Sequence, residues 1–95
     1  MGTRKENLKT LIELGLNYKL VKDELLSLLP QDYSEGPIKD FDQVYYKGES
    51  IWIFGKSIQN KIIYIKLKIR ENKKNEEVIC ISFHIAKYPM KFPFK

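Results

Sequence analysis

The sequence predicts an α+β domain in which two N-terminal helices pack on one face of a three- to four-stranded antiparallel sheet. Three observations carry this reading. Apolar residues recur at helical spacing from Leu8 to Leu29, and from Ile51 onward apolar and polar residues alternate with the period of a strand. The two patterns follow one another without interleaving, which separates this plan from a βαβ succession with a parallel sheet.

Thr3 with Glu6 three residues later is a capping-box signature, and Leu8, Leu11 and Ile12 continue at helical spacing until Gly15 supplies a stop, giving a first helix over 3–14. Asn17 caps a second helix whose apolar stripe is Leu20, Val21, Leu25, Leu28 and Leu29, with Pro30 just past its end. The run "QDYSEGPIKDFD" over 31–42 has turn residues and no period, so it reads as a connection pinned by Tyr33, Ile38 and Phe41.

After it the spelling is β throughout. Residues 44–47 form a short strand, and "KGES" turns the chain into "SIWIFGKSI", where Trp52, Phe54 and Lys56 share one face and Ile51, Ile53 and Gly55 the other. Gln59 and Asn60 make a two-residue turn into a strand over 61–70, and "ENKKNE" leads to a last strand over 77–86. The terminal "KYPMKFPFK" holds two prolines within five residues, which exclude helix and central strand, leaving an extended tail of alternating aromatic and basic residues.

With 95 residues the chain predicts a single domain, 1–95, and one core. Its 43% hydrophobic and 31% charged residues are those of a globular chain. No apolar run is long enough to span a bilayer, "MGTRKENLKT" lacks the apolar core of a secretory signal, and Glu6 stands where a myristoylation signal wants Ser or Thr. Cys80, the only cysteine, has no partner for an internal disulfide. The expectation is a cytoplasmic protein with no membrane partner. Residues 1–42 hold six cations and eight acids, a net of −2, while residues 43–95 hold eleven cations and four acids, a net of +7. The basic half calls for an anionic partner, either nucleic acid or an acidic protein.

The stretch "YIKLKIR" over 64–70 puts Tyr64, Lys66, Lys68 and Arg70 on one face and Ile65, Leu67 and Ile69 on the other. In the last strand Ile79, Ile81, Phe83 and Ile85 must face the core, which turns Val78, Cys80, Ser82 and His84 to the other side. Two hairpin registers satisfy this, one setting Tyr64 opposite Ser82 and the other opposite His84. Either makes Tyr64, Lys66, Ser82 and His84 neighbours. The Gln59–Asn60 turn adds Ile53 beside Lys66 and Gly55 beside Tyr64.

These face positions carry no paired carboxylates, which argues against two-metal phosphodiester hydrolysis, and one His with one Cys does not make a zinc site; no metal or cofactor is expected. RNA needs neither, because its 2′-hydroxyl is an internal nucleophile. The protein must align that hydroxyl, take its proton, neutralise the phosphorane and protonate the leaving oxygen. Imidazole, with a reference pKa of ~6.5, suits the proton steps and makes His84 a base or acid candidate. Tyr64 can stack on a base, or take a proton role if Lys66 stabilises its phenolate. Lys66, Lys68 and Arg70 are the phosphate-holding candidates, Lys56 and Lys87 extend the track, and Tyr88, Phe92 and Phe94 are candidates to stack on bases.

"WIFGKSIQNKIIYIKLKI" followed by "VICISFHIAKYPMKFPF" resembles the MqsR branch of the RelE-like toxins of bacterial type II toxin–antitoxin systems, and the preceding two-helix segment ending "LLPQDY" fits the same plan. The resemblance implies a small basic α+β endoribonuclease, an mRNA interferase that cleaves messenger RNA, on or off the ribosome, without a metal ion. It also implies a cognate antitoxin, in this family often a zinc-binding protein with a helix-turn-helix domain. The strand tyrosine of the family falls on Tyr64. His84 stands where the family has a lysine in the final strand, and Ile53 where it has a glutamine after the tryptophan. Two other readings use the same residues: a non-catalytic RNA-binding module, and a protein whose basic face docks an acidic partner.

Overall fold

The computed structural model describes residues 4–39, 49–71 and 76–95. Two helices, α1 (Arg4–Leu14) and α2 (Tyr18–Leu26), precede a 3₁₀ turn (Pro30–Asp32) and four strands, β1 (Tyr33–Lys39), β2 (Glu49–Ile58), β3 (Lys61–Glu71) and β4 (Glu76–Ile85). The strands form one antiparallel sheet in the order β1-β2-β3-β4, an α+β arrangement. The expected cap Thr3 and the expected strand over 44–47 lie outside the described residues.

Gly15 ends α1 with φ +66, a left-handed value that glycine adopts without steric cost. Asn17 is extended and its Oδ1 accepts from the Leu20 N–H at 2.9 Å, capping α2 as its position in the sequence predicts. α2 stops earlier than its apolar stripe. Pro30 forces Leu29 into extended backbone, and the Asp32 carboxylate accepts from the Leu29 N–H at 2.8 Å, so the chain enters the 3₁₀ turn after Ser27. Leu28 still packs against the core from outside the helix.

Residues 33–39, read from the sequence as connection, are the edge strand β1. Its pairing with β2 is broken by two register shifts, and Gly36 lies within the second of them, between Glu35 and Ile38, with φ +125. A Cβ there would lie 2.7 Å from the Ile51 carbonyl oxygen, so only glycine fits. Pro37 follows across a cis bond, in a strand with one neighbour, where a missing N–H leaves the ladder least disturbed.

β2 and β3 pair without a break from Glu49↔Arg70 to Ile58↔Lys61. Gln59 and Asn60 close the hairpin with φ 52 and 65, the two positive values of the primed turn that matches strand twist. β4 pairs with β3 as Ile63↔Ile85, Tyr64↔His84, Ile65↔Phe83 and Lys66↔Ser82, and then as Leu67↔Cys80 and Lys68↔Ile79. Ile81 is therefore the extra residue of a β-bulge. This corrects one expectation: beyond the bulge the faces exchange, so Val78 and Cys80 do not share the face of Ser82 and His84.

One face of the sheet carries the core. Ile58, Ile63, Ile65, Leu67 and Phe83 are buried with Leu14, and Leu11, Leu16, Val21, Leu25 and Leu28 pack on them. α1 lies along β4 and bonds its outer edge. Asn7 donates to the Ile81 carbonyl at 3.3 Å and accepts from the Phe83 N–H at 3.1 Å, while the Thr10 hydroxyl accepts from the Ile85 N–H at 3.2 Å. These side chains satisfy backbone groups that an edge strand otherwise offers to another chain.

Candidate functional site

The face turned away from the helices holds Tyr64, Lys66, Lys68, Arg70, Ser82 and His84 of the residues singled out in the sequence. The register that forms is the one placing Tyr64 opposite His84, with Gly55 on the other side of Tyr64; the next row is Ile53, Lys66 and Ser82. The Tyr64 and His84 rings are stacked, with centroids 5.1 Å apart and 15° between planes. This face is partly covered. Ser82 is fully buried and His84 is 8% exposed, and the C-terminal segment lies over Gly55, where a Cβ would meet the Phe92 ring at 2.7 Å and the Met90 sulfur at 2.9 Å.

Beside that cover a cleft of about 680 Å³ remains, lined by Glu35 and Ile53 from the sheet, Tyr64 and His84 on its floor, and Lys87, Tyr88 and Lys91 from the C-terminal segment. Tyr88 is 80% exposed. Lys66 lies on the same face two residues from Tyr64, and Glu35 pairs with Ile53 on the β1 side. Among the described residues lining the cleft, Glu35 is the one carboxylate.

Electrostatics divide the proton roles that the sequence left open. Burial, reinforced by the nearby Glu35 carboxylate, pushes the Tyr64 phenol up from its ordinary value. The expectation that Lys66 would favour a phenolate is thus reversed: Tyr64 is a neutral hydroxyl near pH 7 and can donate. His84 Nδ1 lies 3.0 Å from the Ile85 carbonyl oxygen, an atom that only accepts, so Nδ1 carries a proton. In the neutral ring the lone pair is then on Nε2.

The remaining cations separate into groups. Lys68 and Arg70 are on the Tyr64 face but converge on Glu49, whose side chain is 1% exposed, at 3.4 Å and 2.6 Å; Arg70 also lies 3.9 Å from Glu77. One carboxylate thus offsets one of the three positive charges that "YIKLKIR" concentrates, shared between Lys68 and Arg70. Lys56 is on the opposite face, where its ammonium pairs with the Glu24 carboxylate at 2.7 Å and hydrogen-bonds Ser27, tying α2 to β2. The structure brings together Tyr64, His84, Lys66, Lys87 and Tyr88 and leaves Lys56 outside that group.

Glu35, Glu49 and Met90 were not singled out from the sequence, and Phe92, a candidate there to stack on bases, instead packs on Gly55. Glu35 sits in the irregular run read as a connection, and Glu49 in "KGES", read as a turn. The tail's course over Gly55 has no local signal, although a glycine between Phe54 and Lys56 in a strand marks a close approach. Burial pushes the Cys80 thiol up, away from the thiolate a nucleophile needs.

The chain matches no family model, no curated protein and no solved structure, so a functional reading rests on these residues and their geometry.

Proposed function

We propose that the protein is a metal-independent endoribonuclease acting through the Tyr64–His84 cleft, and that it serves as the growth-arresting toxin of a type II toxin–antitoxin pair, as its resemblance to MqsR implies. The observation that carries the reading is the stacked pair of Tyr64 and His84 on the floor of a cleft lined by Lys87 and Lys91, with Lys66 on the next row of the same face. In this reaction His84 Nε2 takes the 2′-hydroxyl proton and the 2′-oxygen attacks the adjacent phosphorus. Lys66 and Lys87 neutralise the phosphorane, and the 5′-oxygen leaves with the proton of the Tyr64 hydroxyl. The products are a 2′,3′-cyclic phosphate and a 5′-hydroxyl. The imidazolium then returns its proton through solvent to the phenolate, restoring both groups.

Induced expression of the wild type, His84→Ala and Tyr64→Phe at matched abundance tests this reading. Growth arrest with new RNA ends from the wild type, lost in His84→Ala, supports it; unchanged growth and intact RNA from a folded wild type contradicts it. A second reading, a non-catalytic RNA-binding cleft, is favoured by the burial of His84 and its bond to the neighbouring Ile85 carbonyl, features of a structural strand histidine. It predicts RNA retention without new ends.

A further inference from the structure

We propose that residues 87–95 form a strap latched on Gly55, which lifts to admit RNA to the cleft and closes over it with its lysines, a device that rests on the RNA reading above. Past β4, the Ala86 N–H still bonds the Ile62 carbonyl at 2.9 Å. The chain then leaves the ladder and crosses the sheet, with Pro89 and Pro93 excluding regular structure. It is seated by side chains: Met90 and Phe92 rest on Gly55, and Phe94 meets Tyr33 of β1 with ring centroids 5.2 Å apart.

The first part of the strap borders two cavities. Lys87, Tyr88, Pro89 and Met90 line the 680 Å³ cleft and also a second cavity of about 560 Å³ bounded by Lys61, Ile62, Ile85 and Phe92. Lifting this segment breaks its seat while the Ile63–Ile65–Phe83 core on the other face stays packed. The seat explains the glycine. Gly55 has no left-handed backbone to justify it, and what excludes a side chain is the 2.7 Å approach to the Phe92 ring. Lys87, Lys91 and Lys95 give the strap three cations, so a polyanion in the cleft favours the closed position.

The latch makes Gly55→Ala a selective lever, since alanine suits extended backbone but not this contact. Trypsin cleavage after Lys87 and Lys91 reads strap opening, and amide exchange across β2–β4 reports the sheet. In nucleotide-free protein, Gly55→Ala is expected to speed strap cleavage about five-fold or more with sheet exchange unchanged. Phe92→Ala removes the latch from the other side and should do the same. A 2′-O-methyl RNA oligonucleotide should slow strap cleavage in the wild type and dissociate faster from Gly55→Ala. Strap cleavage no faster in either folded variant overturns the latch, as does an oligonucleotide that binds without protecting the strap. An oligonucleotide that fails to bind the wild type overturns the RNA reading instead, and the nucleotide-free comparison still decides the latch.

Discussion

Tyr64 stacks on His84 across neighbouring strands with 5.1 Å between ring centroids, and the phenol is held in its neutral form by burial and by Glu35. Tyr64→Phe keeps the stacked ring and removes only the hydroxyl. Cleavage should fall by about 10²-fold or more, the range for a lost general acid, with little change in affinity for a 2′-O-methyl RNA oligonucleotide. Single-turnover kinetics beside equilibrium binding checks this.

The same phenol predicts a stability signature. Its folded-state pKa is raised, so above pH ~10, the ordinary tyrosine value, the unfolded chain releases this proton while the folded protein still holds it. The unfolded state then binds fewer protons, and stability falls as pH rises toward the folded-state value. Below pH ~10 both states hold the proton and Tyr64 adds no slope. Urea melts of the wild type and Tyr64→Phe at pH 8 and pH 10.5 should show the steeper alkaline loss in the wild type.

Glu49 is a structural anion. Its carboxylate lies between Lys68 and Arg70, and Oε2 is buried without a hydrogen-bond partner among the described residues. Glu49→Gln leaves Lys68 facing a neutral amide in a buried site. The expected loss is about 3 kcal/mol, the lower part of the range for breaking a buried pair, because Arg70 reaches solvent. Chemical denaturation measures it. Lys68→Met, which removes the other charge and keeps the length, should cost less.

Lys66 and Lys56 give a contrast between the two faces. Lys66→Ala should weaken RNA binding and reduce the salt slope by about one counterion, the effect of losing the one phosphate contact proposed for it. Lys56→Ala should leave both unchanged and lower stability by up to about 1 kcal/mol through loss of the α2 tie. Salt titrations of binding, paired with thermal melts, separate the two outcomes.

Asn7 is the hinge pin of the helix layer. Asn7→Ala removes both of its bonds to β4 and leaves the Ile81 carbonyl and Phe83 N–H without that partner. The expected cost is about 2 kcal/mol, within the range for unsatisfied buried backbone groups. Amide exchange should rise first at Phe83.

Much of the sheet was legible because its signals are local. The Gln59–Asn60 turn fixes the β2–β3 register, so Ile53 beside Lys66 and Gly55 beside Tyr64 follow from counting along the strands. The β3–β4 register stayed ambiguous until pairing was seen, since two loop closures satisfy the same alternation. The bulge at Ile81 escaped the pattern entirely, because Ile79 and Ile81 spell an uninterrupted strand. β1 was missed for the opposite reason. Gly36 and Pro37 punctuate its sequence like a turn, yet an edge strand tolerates both. The Tyr64, Lys66 and His84 cluster was readable from the pleat. The pairing of Lys68 and Arg70 with Glu49, and the tail over Gly55, depend on which strands meet, and alternation alone does not encode that.

The measurement that bears most directly on the account is the chemistry of the RNA ends. Purified wild type and His84→Ala are incubated with RNA in EDTA, and the products are analysed for terminal groups. Wild type should give 2′,3′-cyclic phosphate and 5′-hydroxyl ends, with a loss of about 10²-fold or more in His84→Ala at equal RNA binding. Intact RNA from a folded wild type that binds it, or the same ends at the same rate from His84→Ala, would contradict it.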